Sequence, residues 1–110
     1  MQSFEVFRAQ ARAMIELPSS IPTLYATEHD EDPIVHAIFV HPRTGWRWFV
    51  TEFDGHDLCF GLVEGFEVEF GYFRRSELEK NGCAVLPAWK PVRFSDVHNT
   101  VLGAQNTPEV

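Results

Sequence analysis

The chain has 110 residues, 45% of them apolar and 14% aromatic, with a formal charge of −7 at pH 7. That is one domain's worth of sequence with an aromatic-rich core, and no run reaches the ~20 apolar residues of a membrane span. Residues 28–69 hold ten acids opposed only by Arg43 and Arg47, so the central third alone carries −8. A field of that sign repels phosphate backbones and excludes nonspecific nucleic-acid binding.

Residues 1–16 read as an N-terminal helix. Ser3 can cap it, and Phe4, Phe7, Ala11, Met14 and Ile15 recur at helical spacing. Because this segment lacks the apolar centre of a secretory signal, a cytoplasmic location is expected. Pro18 and Pro22 then break the helix, and TEHDEDP forms a polar loop ended by Pro33.

Four strand-like runs follow: 34–41, 46–53, 58–63 and 66–73. The connectors PRTG, DGHD and Glu64-Gly65 are short turn signals, which force neighbouring antiparallel pairs and hence a meander over 34–73. In the last run Phe66, Val68, Phe70 and Tyr72 alternate with Glu67 and Glu69, predicting one core face and one wet face. Ser76 opens a short helix, with Ser76 and Glu79 spaced as a capping box and Gly82 as the stop. LPAWKPVRF holds a possible edge strand at 92–95, and residues 101–110 read as a flexible tail.

The expected fold is therefore one α+β domain spanning 1–110. It has a four- to five-stranded, mainly antiparallel meander, the N-terminal helix packed on one face, and a short helix after the fourth strand. Phe39, Trp48, Phe60, Phe70 and Tyr72 are the expected core aromatics.

Four segments carry a family resemblance: LPSSIPTLYATE at 17–28, WRWFVTEFDG at 46–55, CFGLVEGFEVEFGYF at 59–73 and SELE at 76–79. Together they resemble a family of small bacterial and plasmid proteins defined only as a domain of unknown function. The match covers residues 17–80; the Glu-Arg-Asp strand that follows in the family is replaced here by Leu86 to Phe94. The resemblance implies a habitat on plasmids and other mobile elements, near DNA-processing or anti-restriction genes. It implies no activity.

Several residue groups could carry chemistry. Glu52, Asp54, His56 and Asp57 offer oxygen and imidazole donors to a metal, but without the spacing of a calcium loop or a paired-His motif; turn bonding by Asp54 and Asp57 is the simpler reading. Glu28 and Glu52 could act as a carboxylate pair, or either could serve as a structural hydrogen-bond or ion-pair partner, for instance of Arg47. Cys59 or Cys83 with His36 or His56 would make a nucleophilic pair, but both cysteines sit in apolar company and read as core thiols; whether they pair is open. Trp46, Arg47, Trp48 and Phe49 resemble a single-strand stacking platform, yet the surrounding acids argue for core instead.

The acids themselves give the leading expectation. Glu52, Asp54, Glu64, Glu67 and Glu69 would form an acidic strand face that engages a basic protein partner, without cofactor, without membrane and without direct nucleic-acid contact. The expected function is a non-enzymatic binding protein of mobile-element type that modulates a host nucleic-acid-binding or defence protein. The alternatives are a small metal-dependent or carboxylate-based hydrolase using Glu28, Glu52, Asp54 and His56, and a homodimerising structural domain.

Overall fold

A computed structural model describes residues 17–99. Its elements are β1 (Ile34–Val35), β2 (Ala37–Val40), β3 (Arg47–Phe53), β4 (Leu58–Glu64), β5 (Val68–Arg74), α1 (Arg75–Lys80), β6 (Ala84–Val85), β7 (Val92–Arg93) and a terminal 3-10 turn, Phe94–Asn99. One sheet has five antiparallel strands in the order β5-β4-β3-β2-β6; a second pairs β1 with β7. Gly45, in the six-residue connection between β2 and β3, and Gly55, in the four-residue turn between β3 and β4, take positive φ, 78° and 87°, a backbone that glycine adopts without steric cost.

The protein is thus mainly β among its described residues, and the α+β expectation is corrected: α1, six residues long, is the one α-helix. The described cover on the sheet comes from the segment around Ile21, from α1 and from the C-terminal segment with its 3-10 turn. The predicted helix over 1–16 and the predicted tail over 101–110 lie outside the described residues. No described helix is long and apolar enough to cross a membrane.

Two apolar layers sandwich the sheet. Phe39, Val50, Cys59 and Phe73 face one side, with Ile21, Leu78 and Cys83 packed on them. Ile38, Phe49 and Leu62 face the other, covered by Val35 and Val97 and flanked by Trp89, Val92 and Phe94. The Trp89 indole N–H donates to the Val35 carbonyl at 3.0 Å, which fastens the C-terminal segment down. That segment therefore covers this face among the described residues.

Three local expectations also change. The run 34–41 is divided: the His36 N–H bonds the Val50 carbonyl, while Ile34 and Val35 leave to pair with β7. The Ser76–Glu79 capping box does not form; no side chain of the helix caps it. Asp57, from the β3–β4 turn, accepts from both the Ser76 N–H and its hydroxyl at 2.8 Å, supplying the cap from across the chain. Among the expected core aromatics Phe39 is fully buried, but Phe70 and Tyr72 are half exposed, because β5 is an edge strand of the described sheet and the described residues that reach that face, Phe94 beside Phe70 and Tyr25 across the cleft from Tyr72, cover it only in part.

Candidate functional site

β3 and β4 pair in register from Arg47↔Glu64 to Val50↔Gly61, then resume at Glu52↔Phe60. Thr51 is the extra residue of a β-bulge. A bulge advances the side-chain alternation by one position, so a carboxylate due on one face emerges on the other. Glu52 consequently lies beside Phe60, on the face of Phe49 and Leu62. The Thr51 hydroxyl, itself buried, donates to the Phe60 carbonyl at 3.1 Å and braces the irregularity.

Glu52 is only 2% exposed. A buried carboxylate must be matched by donors, and here the loop before β1 supplies them. One oxygen accepts the Tyr25 N–H at 2.8 Å; the other accepts the Thr27 N–H at 2.9 Å and the Thr27 hydroxyl at 2.5 Å. Tyr25 has φ 71°, a left-handed backbone that costs a non-glycine residue about 1 kcal/mol and survives only where the surroundings over-determine it. The hydrogen bond to Glu52 is that constraint. It places Tyr25 beside Tyr72 at the cleft, and interaction with the Tyr25 side chain, followed by burial and the Glu52 and Glu28 charges, holds the Tyr72 phenol above its ordinary value.

These contacts build a cleft of about 400 Å³, lined by Tyr25, Phe60, Phe70 and Tyr72 and by Glu28, Asp30, Glu31 and Glu52. The Phe60 ring lies 4.9 Å from Tyr72 and 6.1 Å from Phe70, stacked on the latter at 15°. On the loop side, Asp32 accepts the Ser95 N–H at 2.8 Å and its hydroxyl at 2.7 Å, and these bonds lower its pKa. Asp30 stands 3.9 Å from the Arg93 guanidinium, while Glu28 approaches His29, itself solvent-exposed, at 3.3 Å. The rim is thus pinned at Asp32, and Glu28 and Glu31 face the opening. None of the described residues lining the cleft is basic.

The other sequence candidates fall elsewhere. Glu64 is half-buried and bound to Arg47 at 2.6 Å, directly across the ladder. Asp54 accepts the N–H groups of His56, Asp57 and Leu58 at 2.7, 2.8 and 3.1 Å, and these hold its pKa below 3.8. Glu67 and Glu69 are exposed, Glu69 on the sheet face opposite Glu52 and Glu64. The five acids of the expected strand face therefore do not stand in one row. Glu28 and Glu52, in contrast, do share the cleft. Among the described residues no group of three or more His, Cys, Asp or Glu side chains gathers as a metal would require.

Asp57 is committed to Ser76 and lies near Arg74. Burial alone would raise its pKa, but the Ser76 hydrogen bonds and the Arg75 and Arg74 charges outweigh that and lower it. Cys59 and Cys83 are free, buried thiols; burial pushes Cys59 up to about 12 and raises Cys83 as well, the reverse of what a nucleophile needs. His36 lines a separate shallow cleft with Leu86 and Trp89, and burial lowers its pKa. Sequence reasoning missed Tyr25 and Thr27 as the partners of Glu52, and nothing local marks them.

Fold and site together define a small, mainly β protein with an acidic, aromatic-walled cleft on one sheet face. Against family models, curated proteins and solved structures, the chain finds no match.

Proposed function

We propose that this protein is a non-enzymatic binding protein whose cleft receives a cationic side chain of a basic partner protein. The supporting observation is the composition of that cleft: four aromatic rings and four carboxylates line it. Aromatic faces attract an ammonium or guanidinium by about 0.5–2 kcal/mol each, more as the site is desolvated. The carboxylates at the rim add steering and sign selectivity. The −8 central segment supplies the long-range field that brings such a partner in. With the resemblance to mobile-element proteins, the reading extends to a host nucleic-acid-binding or defence protein as the partner. The contact surface in this reading is the cleft, not a row of strand carboxylates.

The carboxylate-hydrolase alternative has Glu28 and Glu52 in one cleft in its favour. Against it, both oxygens of Glu52 are already occupied by loop donors, which suits a structural latch better than an acid or base.

Calorimetric titration with a Lys- and Arg-rich peptide tests the proposal. Binding should weaken as salt rises. Charge reversal at the rim, E28K with E31K, should lower affinity at least about tenfold. The same change in net charge on α1, E77K with E79K, should cost much less, because those side chains lie outside the cleft. Equal losses from the two double variants would mean that net charge, not the cleft, does the binding.

A further inference from the structure

The two edges of the five-stranded sheet differ. β6 is two residues long and is followed within two positions by Pro87, so that edge is blunted. β5 is seven residues long, among the described residues has a ladder on one side only, to β4, and contains no proline, lysine or bulge. A long, flat edge without such protection is a template for another strand. Its side chains are unusually apolar for an edge: Val68 is 62% exposed, Phe70 49% and Tyr72 50%.

The charge order along β5 says which strand fits. Glu69 lies near its beginning with Glu67 just before it, and Arg74 ends it with Arg75 just after, at the start of α1. An antiparallel copy of the same strand sets each end against its opposite. A two-fold axis through Gly71 pairs all seven residues, since Gly71 is the midpoint of Val68–Arg74. Phe70 then faces the second copy's Tyr72, Val68 faces its Arg74, Glu69 faces its Phe73, and Glu67 lies beside its Arg75. No like charges meet. A register centred on Glu69 would instead put carboxylate against carboxylate.

We propose that β5 pairs with β5 of a second copy of this chain, giving a two-fold dimer with one continuous ten-stranded sheet. Phe70 and Tyr72 line the cleft of each copy, so the dimer brings the two clefts together along the seam on one face of the sheet. This inference stands apart from the cation-binding reading and can fail without it.

Sedimentation velocity over a concentration series tests it with the full chain. The wild type should reach twice the 12.6 kDa chain mass. Val68→Lys, at an exposed position, places the introduced lysine opposite the second copy's Arg74 twice per dimer and should weaken association roughly tenfold or more. Adding Arg74→Glu to that variant makes the facing pair opposite in charge and should restore the dimer. Arg74 also stands 3.6 Å from Asp57 within its own chain, so thermal melts of all variants accompany the series, and R74E alone, which puts a carboxylate opposite Val68, should remain dimeric. A wild type monomeric at every concentration would overturn the proposal and leave the edge to another occupant, such as residues 1–16 or a partner peptide. A dimer indifferent to V68K, or a folded V68K/R74E pair that stays monomeric, would overturn it as well.

Discussion

β4 has a neighbour on each side, and its two seams behave differently. Toward β5 the ladder runs seven pairs without interruption, from Leu58↔Arg74 to Glu64↔Val68. Toward β3 it is broken once, at Thr51. The regular seam sets aromatic side chains at strand spacing and leaves them half exposed. The bulged seam swings one carboxylate across the sheet, and that carboxylate then captures a loop. A single extra residue thereby converts a surface acid into the organiser of a cleft, while the seven well-paired residues next to it supply that cleft's aromatic wall and the sheet's edge.

The glycines that face each other across β4 and β5 offer the sharpest test. They are Gly61 and Gly71, paired directly. A Cβ on Gly61 would stand 1.7 Å from the Phe49 carbonyl oxygen, whereas one on Gly71 would meet nothing within 4 Å. The bulge crowds β3 backbone against Gly61, and backbone cannot rotate away as a side chain can. Gly61→Ala should therefore cost about 3 kcal/mol or more, the upper end of overpacking. Gly71→Ala should change stability by less than about 0.5 kcal/mol. Urea unfolding of both variants decides it; equal costs would mean the bulge does not close that seam.

Next in size is Glu52→Ala. It strands the Tyr25 and Thr27 N–H groups and the Thr27 hydroxyl, and should cost about 2–4 kcal/mol, since each buried donor left unpaired costs about 1–3 kcal/mol. Hydrogen exchange gives the local readout. The Tyr25 and Thr27 amides should lose protection in the variant while the β4–β5 amides keep theirs. If Tyr25 and Thr27 stay protected, something other than Glu52 holds the loop.

The smallest effect is an acid limb. Asp54 closes the bulged seam at its turn, and Asp57 ties the far end of the regular seam to α1. Both have folded pKa values below the ordinary 3.8, as does Asp32. A carboxylate with a depressed folded pKa contributes stability that is present above 3.8 and is lost as pH falls through the folded value. Unfolding should therefore ease progressively below about pH 4. Asp54→Asn, which cannot titrate, should flatten part of that slope when thermal melts are followed from pH 5 to pH 2. An unchanged slope would show that Asp54 contributes nothing to it.

Much of the sheet was readable from the sequence. The runs 46–53, 58–63 and 66–73 each carry a strand, and the turns between them fall at Gly55 and, one residue later than the Glu64-Gly65 signal, at residues 65–67, with Glu64 still in β4. The site was readable only in part. Glu52 is legible as a carboxylate at the end of an apolar strand and Glu28 as one candidate partner, but nothing in the sequence sets their separation, and the expected acidic strand face takes Glu52 with Asp54, Glu64, Glu67 and Glu69 instead. The alternation in 66–73 misled in one respect, because Phe70 and Tyr72 have the pattern of a core face but are only partly covered by the described residues. Tyr25 carried no signal at all; tyrosine has no preference for a left-handed backbone, and only the carboxylate opposite it sustains that conformation.

By itself the sequence determined where strands and turns fall and where negative charge concentrates, because period-two patterning, turn chemistry and charge are local properties. Only the tertiary structure decided the rest: that the described residues are mainly β, that Leu86 to Val97 covers one face while the β5 aromatics stay half exposed among the described residues, and that Glu52 rather than Glu67 or Glu69 shapes the cleft. Those outcomes rest on contacts between residues far apart in the chain and on one residue of register at Thr51, and neither leaves a mark in any short stretch of sequence.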